Sequence, residues 1–158
     1  RAFLPVFAGD PATLSQMMTS LGVGSVVGAL VVAWLGSFKR MGLTLLSVLV
    51  AFGALIATFA LLPVGPGSYL LLFLAGAALL TAFSLTASLV QLAVPDELRG
   101  RVMSIYLMAF RGGMPLGTLA SGYLTTLAST QTIIAINGGL LAFVAIYFLI
   151  RSHGVREL

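Results

Sequence analysis

Residues 41–95 read MGLTLLSVLVAFGALIATFALLPVGPGSYLLLFLAGAALLTAFSLTASLVQLAVP, without one Asp, Glu, Lys, Arg or His. About 20 apolar residues cross a bilayer as a helix, so this stretch is long enough for two crossings. Pro63-Val64-Gly65-Pro66-Gly67 divides it. Prolines and glycines so closely spaced cannot continue a helix and suit a tight turn. The spans fall at about Gly42 to Leu62 and Ser68 to Val94. The apolar residues are continuous, whereas a barrel strand alternates apolar and polar positions over about ten residues. Helices follow.

The flanks repeat the pattern. Pro11 to Phe38 is free of charge and predicts a helix over Thr13 to Gly36. Val102 to Ile150 breaks at Ser129-Thr130-Gln131-Thr132, giving helices near Val102 to Leu127 and Ile133 to Ile150. Ala2 to Gly9 is apolar but too short to span, and reads as the outer end of a helix begun upstream of Arg1. The expectation is an all-α integral membrane bundle over residues 1–158, with five full transmembrane helices plus the end of a sixth. Composition agrees, with 59% hydrophobic and 8% charged residues. Soluble domains carry about 25% charged residues, and this chain has too few to cover a water-facing surface. With no cysteine, disulfides and thiolate metal sites are excluded.

Charge sets the orientation. Lys39 and Arg40 follow the first full span, Arg99 and Arg101 the third, and Arg151, His153 and Arg156 the fifth. In a five-span chain these lie on one side, opposite Asp10 and two uncharged turns. The positive-inside rule makes that side cytoplasmic, and with it the C-terminus. The net charge of +4 is explained by topology and calls for no nucleic acid.

The densest signal is Pro95-Asp96-Glu97-Leu98-Arg99-Gly100-Arg101. Pro95 stops one helix, and Asp96 and Glu97 stand where the next helix's dipole favours negative charge. Arg99 and Arg101 anchor to headgroups, and Gly100 permits a close turn. The segment is either a topology-fixing loop or a cytoplasmic latch whose ion pairs hold one conformation.

With its surroundings this segment resembles a known family. Gln91 to Ser104 (QLAVPDELRGRVMS), Phe110 to Gly117 (FRGGMPLG) and Ser121-Gly122 are similar to helices ten and eleven of the major facilitator superfamily, above all bacterial exporters of the enterobactin-exporter and macrolide-efflux type. Leu4 to Ala8 resembles the end of helix seven, and Gly22 to Gly24 with Gly28-Ala29-Leu30 resembles helix eight. The resemblance implies the C-terminal half of a 12-helix transporter in the bacterial inner membrane. Its partners would be the bilayer, the missing N-terminal half and a small amphipathic substrate exported by alternating access. Gly36 to Gly42 corresponds to a weak copy of the family's Gly/Asp/Arg loop; it keeps the basic pair but has no acid.

Candidate site residues follow. Thr81, Ser84, Ser88 and Gln91 are spaced three, four and three, which puts them on one helical face. In lipid such a face seeks protein or water; the plainer reading is hydroxyls bonded back to their own helix. The resemblance implies that this helix lines the substrate path. Arg111 lies ten residues beyond Arg101, about 15 Å along a helix, near the membrane's middle. A central Arg costs at least about 2.5–3.5 kcal/mol, so it either snorkels or faces an acid or substrate inside the bundle. Ser20, Gly24 and Gly28, and likewise Gly113, Gly117 and Ser121, recur every four residues and predict close helix packing. Pro115 predicts a kink. Asn137 is read as a helix–helix hydrogen bond or simple packing.

A membrane enzyme would need paired carboxylates, histidines or metal ligands. The chain offers Asp96 and Glu97 in a loop and His153 in the tail, so no enzyme, metal site or cofactor is expected. A small structural or channel-forming membrane protein is the alternative reading.

Overall fold

The computed structural model describes residues 11–36, 40–63 and 65–151. Five helices run through them: α1 Pro11–Leu35, α2 Met41–Leu61, α3 Pro66–Ala93, α4 Arg99–Leu127 and α5 Thr130–Arg151. At 1.5 Å per residue they measure about 32 to 44 Å, enough for a hydrocarbon layer of about 30 Å. The short helix end expected at Ala2 to Gly9, with Asp10, Lys39, His153 and Arg156, lies outside the described residues.

Local chemistry sets the helix ends. Pro66 opens α3 at its first position, where a missing N–H costs nothing; the helix therefore begins two residues before the expected Ser68. The Ser68 side chain, 2% exposed, donates to the Pro63 carbonyl at 3.2 Å and accepts from the Gly65 N–H at 3.2 Å. One buried hydroxyl thus fixes the turn between α2 and α3. The polar break before α5 is a cap: Ser129 Oγ accepts the Thr132 N–H at 3.2 Å, so α5 begins at Thr130 rather than Ile133. Gly36 ends α1 at φ +61° with its N–H on the Val32 carbonyl, the left-handed stop that glycine favours.

Packing follows small residues. A Cβ on Gly24 would lie against the Phe73 carbonyl, one on Gly28 against that of Ala77, and one on Gly76 against that of Leu21. All three are contacts that no real side chain could make, so α1 and α3 meet backbone to backbone. Their pairs advance in the same direction, and the helices are parallel. Ser25 Oγ–H donates across this seam to the Gly76 carbonyl at 3.2 Å, and Tyr69 O–H to Gln16 Oε1 at 3.2 Å. A second seam joins α2 and α5. A Cβ on Gly53 would stand 2.6 Å from the Gly138 oxygen, and one on Gly138 2.7 Å from the Gly53 oxygen. Here the order is reversed, because Ala60 and Leu61 at the end of α2 share a recess with Gln131 and Thr132 at the start of α5. The α2–α3 contact joins the seams, so the helices stand in the order α1, α3, α2, α5.

Large apolar side chains face outward: Trp34 is 88% exposed and Leu61 79%. In water such a surface would aggregate; lipid is its natural solvent. Tyr69, Tyr123 and Tyr147, with Trp34, all lie toward helix ends, the depth at which amphipathic rings meet headgroups. Arg151 donates to the Tyr147 hydroxyl at 3.1 Å and lies 5.7 Å from that ring's centre.

The all-helical membrane architecture expected from the sequence is present, and four of the five expected full spans stand out by composition. Four helices, α1, α2, α3 and α5, have the length and apolarity of a span among the described residues. The fifth, α4, is the longest at 29 residues, but Arg99, Arg101 and Arg111 and its many Gly, Ser and Thr residues dilute it. Its ends nonetheless lie at opposite ends of the bundle: Arg99 shares a cleft with Gly36 and Met41, and α5 starts beside Leu61.

The seams predict opposite responses to added methyl groups. Gly76→Ala should be destabilised by about 1–3 kcal/mol, as in other overpacked interiors. Gly117→Ala, where a Cβ meets nothing within 4 Å, should be neutral or up to about 1 kcal/mol more stable from helix propensity. Reversible unfolding in detergent measures both.

Candidate functional site

α3 carries the polar stripe, and the structure divides it. Thr81 Oγ1–H donates to the Gly28 carbonyl at 3.5 Å, so Thr81 serves the α1–α3 seam. Ser84 and Ser88 are half-buried, and Gln91 is exposed. None of these three has a hydrogen-bond partner among the described residues. They share this with the half-buried Ser121 of α4, whereas Ser25, Ser47, Thr58, Thr86 and Ser104 all bond back to the carbonyl four residues earlier. A partly buried hydroxyl with no partner forgoes about 0.5–1.5 kcal/mol that a hydrogen bond to water or ligand would return.

Ser88 and Gln91 open into a cleft of about 390 Å³ at the bundle end that carries Arg40 and Arg99. Arg99 also lines it, and Val32, Met41 and Leu92 supply apolar wall. α2 begins here without a side-chain cap, which leaves the positive end of its dipole beside the cleft.

The loop before α4 holds one ion pair among the described residues, Arg99 to Asp96. It spans three positions of one chain segment, with both side chains substantially exposed. Such a pair contributes at most about 1 kcal/mol. It orders the start of α4 and does not tie α4 to another helix. Glu97, Gly100 and Arg101 are exposed, and a Cβ on Gly100 would meet open space.

α4 is held at its first half. Val102, Met103, Tyr106 and Phe110 are half-buried, at the spacing of one helical face. The Phe110 ring meets Phe83 of α3 edge-on with centroids 4.5 Å apart, and Tyr106 stacks on Phe110 at 6.4 Å. Beneath them lies an apolar pocket of about 230 Å³ reached by Phe52 and Leu141 of the second seam. From Arg111 to Leu127 every residue except Ser121 is exposed. Gly113 and Gly117 have nothing within 4 Å of an added Cβ, in contrast to the close packing their spacing predicts. No described helix covers that face. Pro115 sits inside α4 and cannot donate to the carbonyl four residues before it, which is that of Arg111. Arg111 is exposed and makes no hydrogen bond or ion pair among the described residues. Asn137 is also exposed, away from any seam.

Gly53, Gly76 and Gly138 are absent from the sequence-derived packing set. A usable signal is present for the second seam: Gly53 and Ala57, and Gly138 and Ala142, are small residues four apart. Gly76 offers only its neighbours Ala75 and Ala77.

Outward-facing apolar helices long enough to cross a bilayer, joined by glycine seams, define a multi-pass helical membrane protein. A family model described as transmembrane secretion effector, a branch of the major facilitator transporters, matches residues 2–157. The chain belongs to that family. Neither a curated protein nor a solved structure matches it.

The aromatic contact gives a direct test. Phe83→Ala and Phe110→Ala should each destabilise the chain, and the double mutant should fall short of their sum. The coupling should be about 0.5–1.5 kcal/mol, the usual worth of an edge-on pair. Additive losses in a double-mutant cycle would mean that the rings do not hold α4.

Proposed function

We propose that the chain forms the C-terminal half of a secondary transporter that exports amphipathic small molecules by alternating access. The supporting observation is the pair of half-buried serines on α3, Ser84 and Ser88, whose hydroxyls have no partner among the described residues. In a membrane helix, polar groups left open mark a water-filled or substrate-filled face. Ser84, Ser88 and Gln91 form the path, and Thr81 is its seam-side support.

α4 is the fifth span in this reading, and its bare half from Arg111 to Leu127 faces the N-terminal half of the transporter. Gly113 and Gly117 then meet a helix of that half, at the small-residue spacing that close approach requires. Arg111 finds its acid or substrate partner there, beside the carbonyl that Pro115 leaves free. The basic end is cytoplasmic, the C-terminus lies inside, and the membrane is the bacterial inner membrane. Asp96, Glu97, Arg99, Gly100 and Arg101 form a cytoplasmic loop that orders the start of α4; a latch role for it requires partners on the other half.

The family gives this reading its prior, and accessibility tests it. In membranes, Ser84→Cys and Ser88→Cys should react with a charged maleimide, while Leu30→Cys on the lipid face should not. Equal inertness of all three would end the path assignment. In the assembled transporter, Arg111→Gln should lower efflux of fluorescent amphiphiles at least about tenfold, equivalent to 1.4 kcal/mol. Unchanged efflux would return Arg111 to the snorkelling reading.

A further inference from the structure

The cleft at the basic end adds to the path's Ser88 and Gln91 a charge that the transport reading does not use, Arg99. Among the described residues its lining carries one permanent charge, the Arg99 guanidinium, and two neutral polar groups, Ser88 and Gln91. No acid lines it. Asp96 engages Arg99 through one nitrogen, NH2. A guanidinium presents five N–H donors in a planar fork, so most of the fork remains for a second anion. Forked donors match phosphate and carboxylate oxygens in pairs. The Ser88 hydroxyl and the Gln91 amide have no partner among the described residues, and both can donate to the same oxygens. The uncapped start of α2 adds positive potential at Met41. Below these groups, Val32, Ala33, Met41 and Leu92 offer an apolar wall.

We infer that this cleft binds the anionic head of an amphiphile, a phosphate or carboxylate. Arg99 is its charge partner, Ser88 and Gln91 are its hydrogen-bond donors, and the amphiphile's apolar body lies along Val32 and Leu92. A volume of about 390 Å³ admits a headgroup and the first part of a chain, within the usual size of small-molecule sites. Two sources share this chemistry: an anionic membrane lipid and an anionic substrate on its way into the path. That the amphiphile is cargo rests on the transport reading; that the site binds an anionic head does not.

The test measures equilibrium binding to the full chain in phosphatidylcholine nanodiscs. Decyl phosphate, inorganic phosphate and decyltrimethylammonium are the probes. Decyl phosphate should bind at least about tenfold more tightly than either of the others, since each lacks the charge or the chain that the cleft needs. Arg99→Gln should weaken decyl phosphate at least about tenfold, the loss expected when a charge-assisted hydrogen bond is removed. Arg99→Lys should recover part of this, because it keeps the charge and loses the fork. Asp96→Asn should bind as well as the parent or better, which separates loss of the site from loss of the ion pair. Arg151→Gln removes a charge elsewhere and should change binding less than twofold. Equal losses in Arg99→Gln and Arg151→Gln would overturn the site in favour of a general surface charge. Equal binding of the cationic probe would overturn it as well.

Adding phosphatidylglycerol to the nanodiscs separates the sources. If lipid is the occupant, decyl phosphate weakens and phosphatidylglycerol co-purifies with the parent but not with Arg99→Gln. If the site takes cargo, binding is unmoved, and export of decyl phosphate by the assembled transporter falls with Arg99→Gln. Binding without export in any lipid would contradict the transport reading and leave the site standing. Export of other amphiphiles without decyl phosphate binding would do the reverse.

Discussion

The bundle depends on backbone-to-backbone contact between helices. In lipid, apolar side chains gain nothing by leaving the solvent, so association rests on close packing and interhelical hydrogen bonds. Gly24, Gly28 and Gly76 bring α1 to α3, and Gly53 and Gly138 bring α2 to α5, at separations that exclude even one methyl group. Small residues recur in the buried set, Ala60, Ala75, Ala82 and Ala145, and Leu85 is the largest side chain that is fully buried among those described. Ser25 and Thr81 add hydrogen bonds across the first seam.

α4 obeys a different rule. It has length in place of apolarity and an aromatic contact in place of a glycine seam. Its glycines face outward, and its proline falls at the point where it leaves the bundle. A helix built this way is poorly satisfied by lipid and by its own bundle, and is suited to meet another protein surface. The polar face of α3 and the cleft at its basic end lie on helices that the seams hold, so any ligand there would meet fixed walls and a less constrained α4.

Much of this was legible in the sequence. Charge-free runs located α1, α2, α3 and α5, and a long apolar run broken only by Arg111 located α4, because a bilayer demands about 20 apolar residues and tolerates few charges. The errors sit at helix ends. Ser129 and Pro66 look like breakers in composition, yet they act as a cap and a first-turn residue. Small-residue spacing gave Gly24 and Gly28 and, on the same grounds, Gly113 and Gly117. Periodicity names a face, but what covers that face depends on the partner, and only the first pair has one in this bundle. The α3 stripe shows the same limit. A spacing of three and four put Thr81 with Ser84 and Ser88, but helix rotation turned Thr81 toward Gly28. The cleft was not legible at all, since Arg99, Ser88 and Val32 lie on three helices that no local pattern connects.

Pulsed spin-label distance measurements on the chain in nanodiscs test the central claim that the glycine seams make a rigid frame from which α4 stands apart. Labels at Leu14 and Leu92 report on the α1–α3 pair, and labels at Leu92 and Leu119 report on α4; all three sites are exposed. The first distribution should be narrow and unchanged by an added amphiphile. The second should be broad, or should narrow and shift when the companion half is present. A first distribution as broad as the second, or an α4 distance equally narrow with and without the companion half, would contradict the account.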